Sequence, residues 1–280
     1  MTATLTPTNA RRLISKLGGL DVKPVANEER GLVLGIYGEP GSGKTTLAAT
    51  ITDSDLGSPA LYIDARGNPH VISSYSDRID VVTVEKFKDL EAIRQSLLKE
   101  KDLEYKSVII DTLSEAWSID LRDLYGPTAD VKWEHHSAST ADVLQAVRNF
   151  VDLTTSGPKV NVVFVMQEAQ ETRIVLNQKI EARSEIAFNK ALQFQIPSLI
   201  NFLGRLYTYE STPPYRKILD FSPGPYHQAK MQRDRNDPAA MNIPYQIYEP
   251  SLAPLLDTIR DHKPWPTAAH ARPTSGAARP

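Results

Sequence analysis

The chain has no cysteine among its 280 residues. Disulfides, thiolate metal sites and a cysteine nucleophile are thereby excluded, and the composition fits a reducing cytosol, so a cytoplasmic location is expected. No apolar run approaches the roughly 18 residues that a membrane-spanning helix needs, so no membrane partner is expected. Arg11, Arg12 and Lys16 lack a following apolar stretch, which argues against a signal peptide. Net positive charge is lacking too: 32 Lys and Arg face 34 Asp and Glu, a formal charge of -2. Any nucleic-acid binding must then rest on a local basic patch, a loop, or a face repeated in an oligomer. No Gly-x-Ser-x-Gly elbow supports a serine hydrolase. The adjacent His135 and His136 have no third ligand at useful spacing, so zinc is rejected.

What is present is enough apolar sequence, 41% of the chain, for one large α/β core. Residues 1–30 read as a polar N-terminal arm with a short helix over 10–17. Residues 31–262 read as the main domain. The tail from Lys263 holds Pro264, Pro266, Pro273 and Pro280 with no acid, and reads as disordered. Within the domain, apolar runs at 32–37, 60–64, 81–84, 107–111 and 161–167 predict strands. Segments 45–50, 87–99, 114–124 and 141–154 predict helices. Continuous apolar strands alternating with helices predict a mostly parallel sheet covered on both faces. Segments 205–209 and 217–221 predict an antiparallel hairpin. A last helix over 251–260 tolerates Pro254 because it falls in the first turn.

Gly38-Glu39-Pro40-Gly41-Ser42-Gly43-Lys44-Thr45 matches the phosphate-loop pattern G-x-x-x-x-G-K-[ST], after a strand and before a helix. Glycines let the backbone curl so that successive N–H groups face phosphate oxygens, and the helix start adds its positive end. Together with Thr46, these residues form the expected ATP site. Lys44 should reach the β- and γ-phosphates, and the Thr45 hydroxyl should ligate Mg²⁺. Asp111, ending the apolar run Val108-Ile109-Ile110, is the second expected metal residue; capping the next helix is its alternative role.

Thr112 follows Asp111, where AAA+ machines and many helicases place a glutamate. The segment Leu61-Tyr62-Ile63-Asp64-Ala65-Arg66-Gly67 instead resembles the RecA strand that ends in a catalytic glutamate, but Arg66 stands at that position. A guanidinium cannot deprotonate water, so hydrolysis should be slow or use another acid, with Asp64 and Glu115 as candidates. Gln167 ends the strand Val163-Phe164-Val165-Met166 and resembles the RecA residue that senses the γ-phosphate ahead of a DNA-binding loop. The polar stretch 168–190 is then a charged, hairpin-like DNA loop or a solvated excursion. Lys230 and Arg233, in Ala229-Lys230-Met231-Gln232-Arg233, resemble basic fingers that complete a neighbour's site.

The combination of Gly38 to Thr46, Tyr62 to Gly67, Ile109 to Trp117 and Ala229 to Arg233 resembles the phage-encoded RecA-like ATPases of the Sak type. The resemblance implies a RecA-like core, an ATPase with ATP and Mg²⁺, and a homo-oligomeric ring or filament. It also implies annealing or recombination on single-stranded DNA, beside a single-strand-binding protein. From the residues alone, a nucleotide-gated protein-binding or assembly module with little turnover stays open. A small-molecule kinase is disfavoured because no Arg-rich lid is evident. Trp117 reads as core, and Trp133 as a loop anchor or a base-stacking platform.

Overall fold

The computed structural model describes residues 16–17, 20–21, 30–67, 69–99, 104–126, 133–175, 178–209 and 215–266. In chain order, β1 (Lys16–Leu17) and β2 (Leu20–Asp21) pair with each other. They are followed by β3 (Val33–Gly38), α1 (Lys44–Ala49), β4 (Ala60–Asp64), β5 (Ile79–Thr83), α2 (Lys88–Lys99), β6 (Ser107–Asp111), α3 (Leu113–Tyr125) and α4 (Trp133–Asp152). The second half adds β7 (Asn161–Val175), β8 (Gln178–Ile186), α5 (Lys190–Leu199), β9 (Phe202–Thr208) and β10 (Lys217–Asp220). It closes with β11 (Lys230–Met231), α6 (Pro238–Met241), β12 (Gln246–Tyr248) and α7 (Ala253–Arg260).

The main sheet runs β12-β10-β9-β3-β7-β6-β4-β5. From β9 to β5 all neighbours are parallel, while β10 and β12 extend the sheet antiparallel. Alternate side chains of each strand feed two cores. Val33, Tyr37, Val108, Ile110, Val162 and Phe164 pack under the buried sides of α2, α3, α4 and α5. Leu34, Ile36, Ile109, Val163 and Val165 pack under α1 and α7. Double coverage is why β3 and β6 are buried along their whole length and carry almost no polar residue before their ends.

This is the expected α/β architecture of mostly parallel strands flanked by helices, with antiparallel strands at its C-terminal side. The hairpin at β9 and β10 forms with register Lys217↔Thr208. Pro254 sits in the first turn of α7. The expected helix over 10–17 lies outside the described residues except for Lys16 and Leu17, which pair as a strand. Of the expected tail, residues 263–266 are described and the rest lies outside the described residues. Trp265 is buried in the α1/α7 core, and Lys263 bridges Asp257 and Asp261.

Two elements go beyond the sequence reading. Strand β7 does not stop at Gln167. Its first half pairs with β3, and from Glu168 onward it pairs antiparallel with β8, so the polar stretch is a long hairpin that prolongs a core strand. Helix α5 occupies Leu192-Gln193-Phe194-Gln195-Ile196, which alternates apolar and polar like a strand. The side chain of Asn189 caps the helix by accepting from Leu192 N–H at 3.0 Å. Leu192, Gln193 and Ile196 then face inward, and Phe194 is left 82% exposed.

Candidate functional site

The site lies at the C-terminal edge of the parallel strands, where β3 runs into the loop before α1. Gly38 ends β3 against β9, so closely that a Cβ would lie 2.2 Å from the Leu206 carbonyl oxygen. Gly43 immediately precedes α1 with φ 94°, a left-handed value that disfavours any side chain. These two glycines set the entry and exit of the curl. The loop closes with Ser42 N–H donating to the Glu39 carbonyl at 3.2 Å and Leu47 N–H to the Gly43 carbonyl at 2.9 Å.

Lys44 is buried, and its Nζ donates to the carbonyls of Gly38 at 2.8 Å and Glu39 at 2.7 Å. Burial lowers its pKa from the usual 10.5 to about 8, with Asp111 pulling upward and Arg66 pushing further down. A buried ammonium held only by neutral carbonyls is well matched to an incoming polyanion.

Thr45 and Asp111 meet as the motif demands: the Thr45 hydroxyl donates to Asp111 Oδ2 at 2.5 Å, and the Tyr62 hydroxyl donates to the same oxygen at 2.9 Å. Asp111 Oδ1 is buried with no hydrogen-bond partner, and so is Ser42 Oγ. Burial raises the pKa of Asp111, against the lowering effect of those two hydroxyls and of Arg66 and Lys44. A hydroxyl next to a carboxylate with an unused buried oxygen is an all-oxygen donor set, which fits a hard divalent cation such as Mg²⁺. Thr45 and Asp111 would hold such a cation, which would supply neutralisation of phosphate charge. The helix cap that Asp111 might have supplied comes from Thr112, whose side chain accepts from Glu115 N–H at 3.0 Å.

The other sequence candidates fall at different distances from this centre. Asp64 is in register with Asp111 on the neighbouring strand. Its Oδ1 accepts from Arg66 N–H at 2.9 Å and Gly67 N–H at 3.0 Å, which shapes the turn after β4, while Oδ2 is buried and unpartnered. Arg66 is exposed but close enough to act electrostatically on both Lys44 and Asp111. Glu115 is half-buried in the first turn of α3. Gln167 pairs in register with Gly38, next to the loop, and its N–H is held by Ser114 Oγ at 3.0 Å. Thr46 is exposed on α1.

Lys230 and Arg233 do not converge on the loop of their own chain. Lys230 pairs with Leu203, level with Gly35, and its Nζ caps α5 through the carbonyls of Pro197 at 3.2 Å and Ser198 at 3.3 Å. Arg233 donates to the carbonyls of Met241 and Ile243 and lies 4.5 Å from the centre of the Tyr245 ring.

Sequence reading overlooked a half-buried pair beside the loop. Glu168 and Arg205 form a bidentate ion pair at 2.8 and 2.9 Å, and Arg205 is in register with Tyr37. The Tyr37 hydroxyl donates to the Gln228 carbonyl at 2.5 Å. Gln170, further along the hairpin, donates to Glu39 of the loop at 3.2 Å. No spacing rule announces these partners, because they come from strands far apart in sequence.

The fold and this edge define a P-loop nucleotide-binding protein with a mostly parallel α/β core. The chain matches the AAA domain family over residues 30–232 and belongs to it. It does so with Thr112, not a glutamate, after Asp111. No curated protein matches it. Solved structures that overlay it in part include the RadB recombinase, at 17% identity and TM-score 0.43 over 69% of this chain and 80% of that one. A KaiC-like protein from Pyrococcus horikoshii OT3 gives 11% and 0.42 over 72% and 83%. The flagellar accessory protein FlaH from Methanocaldococcus jannaschii gives 11% and 0.44 over 79% and 85%. No helix among the described residues is long and apolar enough to cross a membrane.

Proposed function

We propose that the chain is an ATPase that binds Mg·ATP in the loop from Gly38 to Thr45 and acts as a homo-oligomer on single-stranded DNA, in annealing or recombination, as the Sak-type resemblance implies. The observation that carries the nucleotide part is the meeting of Lys44, Thr45 and Asp111, with Asp111 Oδ1 unsatisfied. Lys44 neutralises phosphate charge, Thr45 and Asp111 hold Mg²⁺, and Gln167 reports the γ-phosphate to the hairpin. Turnover is slow, because Arg66 stands where a base would be. Asp64 is the preferred substitute, since it keeps a free carboxylate oxygen; Glu115 is the other.

The DNA part is supported by continuity. The hairpin β7–β8 leaves the sheet next to Gly38 and touches Glu39 through Gln170. Nucleotide at the loop and DNA at the hairpin would therefore share one strand. The charge of -2 is overcome by repetition along a ring or filament, since phosphate contacts add across subunits. Lys230 and Arg233 complete a neighbour's site in that assembly, which works in the cytoplasm beside a single-strand-binding protein. The test is binding to labelled single- and double-stranded oligonucleotides with and without Mg·ATP, over a range of salt. Salt-sensitive, ATP-dependent preference for single strands is the expected result. Tight ATP binding with no DNA binding at low salt would replace this reading with a nucleotide-gated assembly module.

A further inference from the structure

A second ammonium reaches the phosphate loop from the antiparallel extension. Lys217, the first residue of β10, lies with its Nζ where a side chain on Gly43 would begin: a Cβ there would be 2.2 Å from that nitrogen. The backbone of Lys217 is fixed on both sides. It pairs with Thr208 of β9, its N–H donates to Glu249 Oε1 at 3.3 Å, and its carbonyl accepts from Glu249 N–H at 2.9 Å. Strand alternation puts Lys217 on the same face as Leu219, which packs in the core that holds α1. Among the described residues its ammonium forms no ion pair. A half-buried, rooted cation lying against the loop glycine next to Lys44 is poised for phosphate rather than for a protein carboxylate.

We infer that Lys217 is a phosphate-contacting residue of the nucleotide site, supplied by the same chain. The inference rests on the nucleotide-binding reading and sharpens it. The loop region holds three carboxylates, those of Glu39, Asp64 and Asp111, and a nucleoside triphosphate brings further negative charge. Lys44 alone leaves that charge under-compensated, and Lys217 offsets part of it. Such a contact also ties β10 to the bound nucleotide, so the antiparallel strands become part of the site rather than a structural appendix.

The test is chemical footprinting of the wild-type protein with an amine-acetylating reagent, read by mass spectrometry, with Mg·ATP, Mg·ADP or AMP. Mg·ATP should protect Lys217 several-fold more than AMP does, and Lys190, on a distant helix, should show no change. In parallel, Lys217→Met should raise the Kd for ATP about tenfold, the size of one charge-assisted hydrogen bond, while Lys217→Arg stays within about threefold of wild type. A Lys217 equally reactive with and without bound ATP would overturn the inference, as would unchanged affinity in a folded Lys217→Met protein. If Lys217→Met fails to fold, the wild-type footprint alone decides. A wild type that binds no nucleotide overturns the parent reading as well, and the two failures are thereby told apart.

Discussion

The two ends of one parallel sheet treat buried polar groups in opposite ways. At the end where the strands begin, Asn161 uses both sides of its amide: Oδ1 accepts from Leu32 N–H, and Nδ2 donates to the carbonyls of Leu56 and Lys106. Asn201 does the same with Val33 N–H and Gln232. At the end where the strands finish, Ser42 Oγ, Asp64 Oδ2 and Asp111 Oδ1 are buried with bonds unmade, and Lys44 leans on carbonyls. Leaving such groups unsatisfied costs about 1–3 kcal/mol each, so a fold tolerates them where a ligand repays the cost. At this sheet the satisfied amides lie at the scaffold end and these three unsatisfied oxygens lie at the end that carries the loop.

Four experiments can break or sharpen that contrast. The largest effect belongs to Lys44→Ala, which should weaken ATP binding about 100-fold, equivalent to about 3 kcal/mol of charged hydrogen bonding, while the melting temperature holds or rises. Calorimetric titration and a thermal melt measure both; unchanged affinity in a folded variant would remove the P-loop assignment. Asn161→Ala should do the reverse, losing about 2–4 kcal/mol of stability in denaturant unfolding with ATP affinity intact, because Leu32 N–H and the Leu56 carbonyl lose their partner, while the Lys106 carbonyl keeps the backbone N–H of residue 161.

Asp64→Asn comes next. The amide oxygen can still accept from Arg66 N–H and Gly67 N–H, so stability should shift by less than about 1 kcal/mol, but ATP turnover should fall about tenfold or more if this carboxylate serves as the base. Turnover equal to wild type would pass the role to Glu115. The smallest effect is a proton. Lys44 has a folded pKa depressed to about 8, so its ammonium costs stability at neutral pH. That cost is relieved as pH rises through 8 toward the unfolded value. Bound phosphate should push the pKa back up. ATP binding at pH 8.5 should therefore take up a fraction of a proton and at pH 6.5 almost none, as read by calorimetry in buffers of different ionisation heat. Equal heats after buffer correction at pH 8.5, or the same uptake in Lys44→Ala, would refute it.

How much of this was legible in the sequence follows from how local each feature is. The loop, its strand and its helix are contiguous, and the glycine spacing states the backbone geometry outright. Asp111 was readable because a carboxylate closing an apolar run has few other uses. The face-to-face meeting of Thr45, Tyr62 and Asp111 needs the strand order, which apolar periodicity does not give. Lys217 reads as an ordinary hairpin residue until β9 is set beside β3, which brings β10 next to the loop. Helix α5 carried no assignment in the sequence reading, because 192–196 alternates apolar and polar residues without a helical period; the Asn189 cap is what favours the helix there.

The position of β3 also dictates when the site can come into being. Its neighbours are β7, beginning at Asn161, and β9, beginning at Phe202, so the strand that carries the phosphate loop waits for sequence made long after it. A nascent chain that has emerged as far as Asp111 already holds the whole loop and its acidic partner, yet it lacks both strands that would flatten β3 into a sheet. Closing contacts across more than a hundred residues is slow relative to helix formation. On the proposed function, the loop is set into its sheet only in a chain that has emerged past β9, and nucleotide would stabilise the finished fold rather than template it.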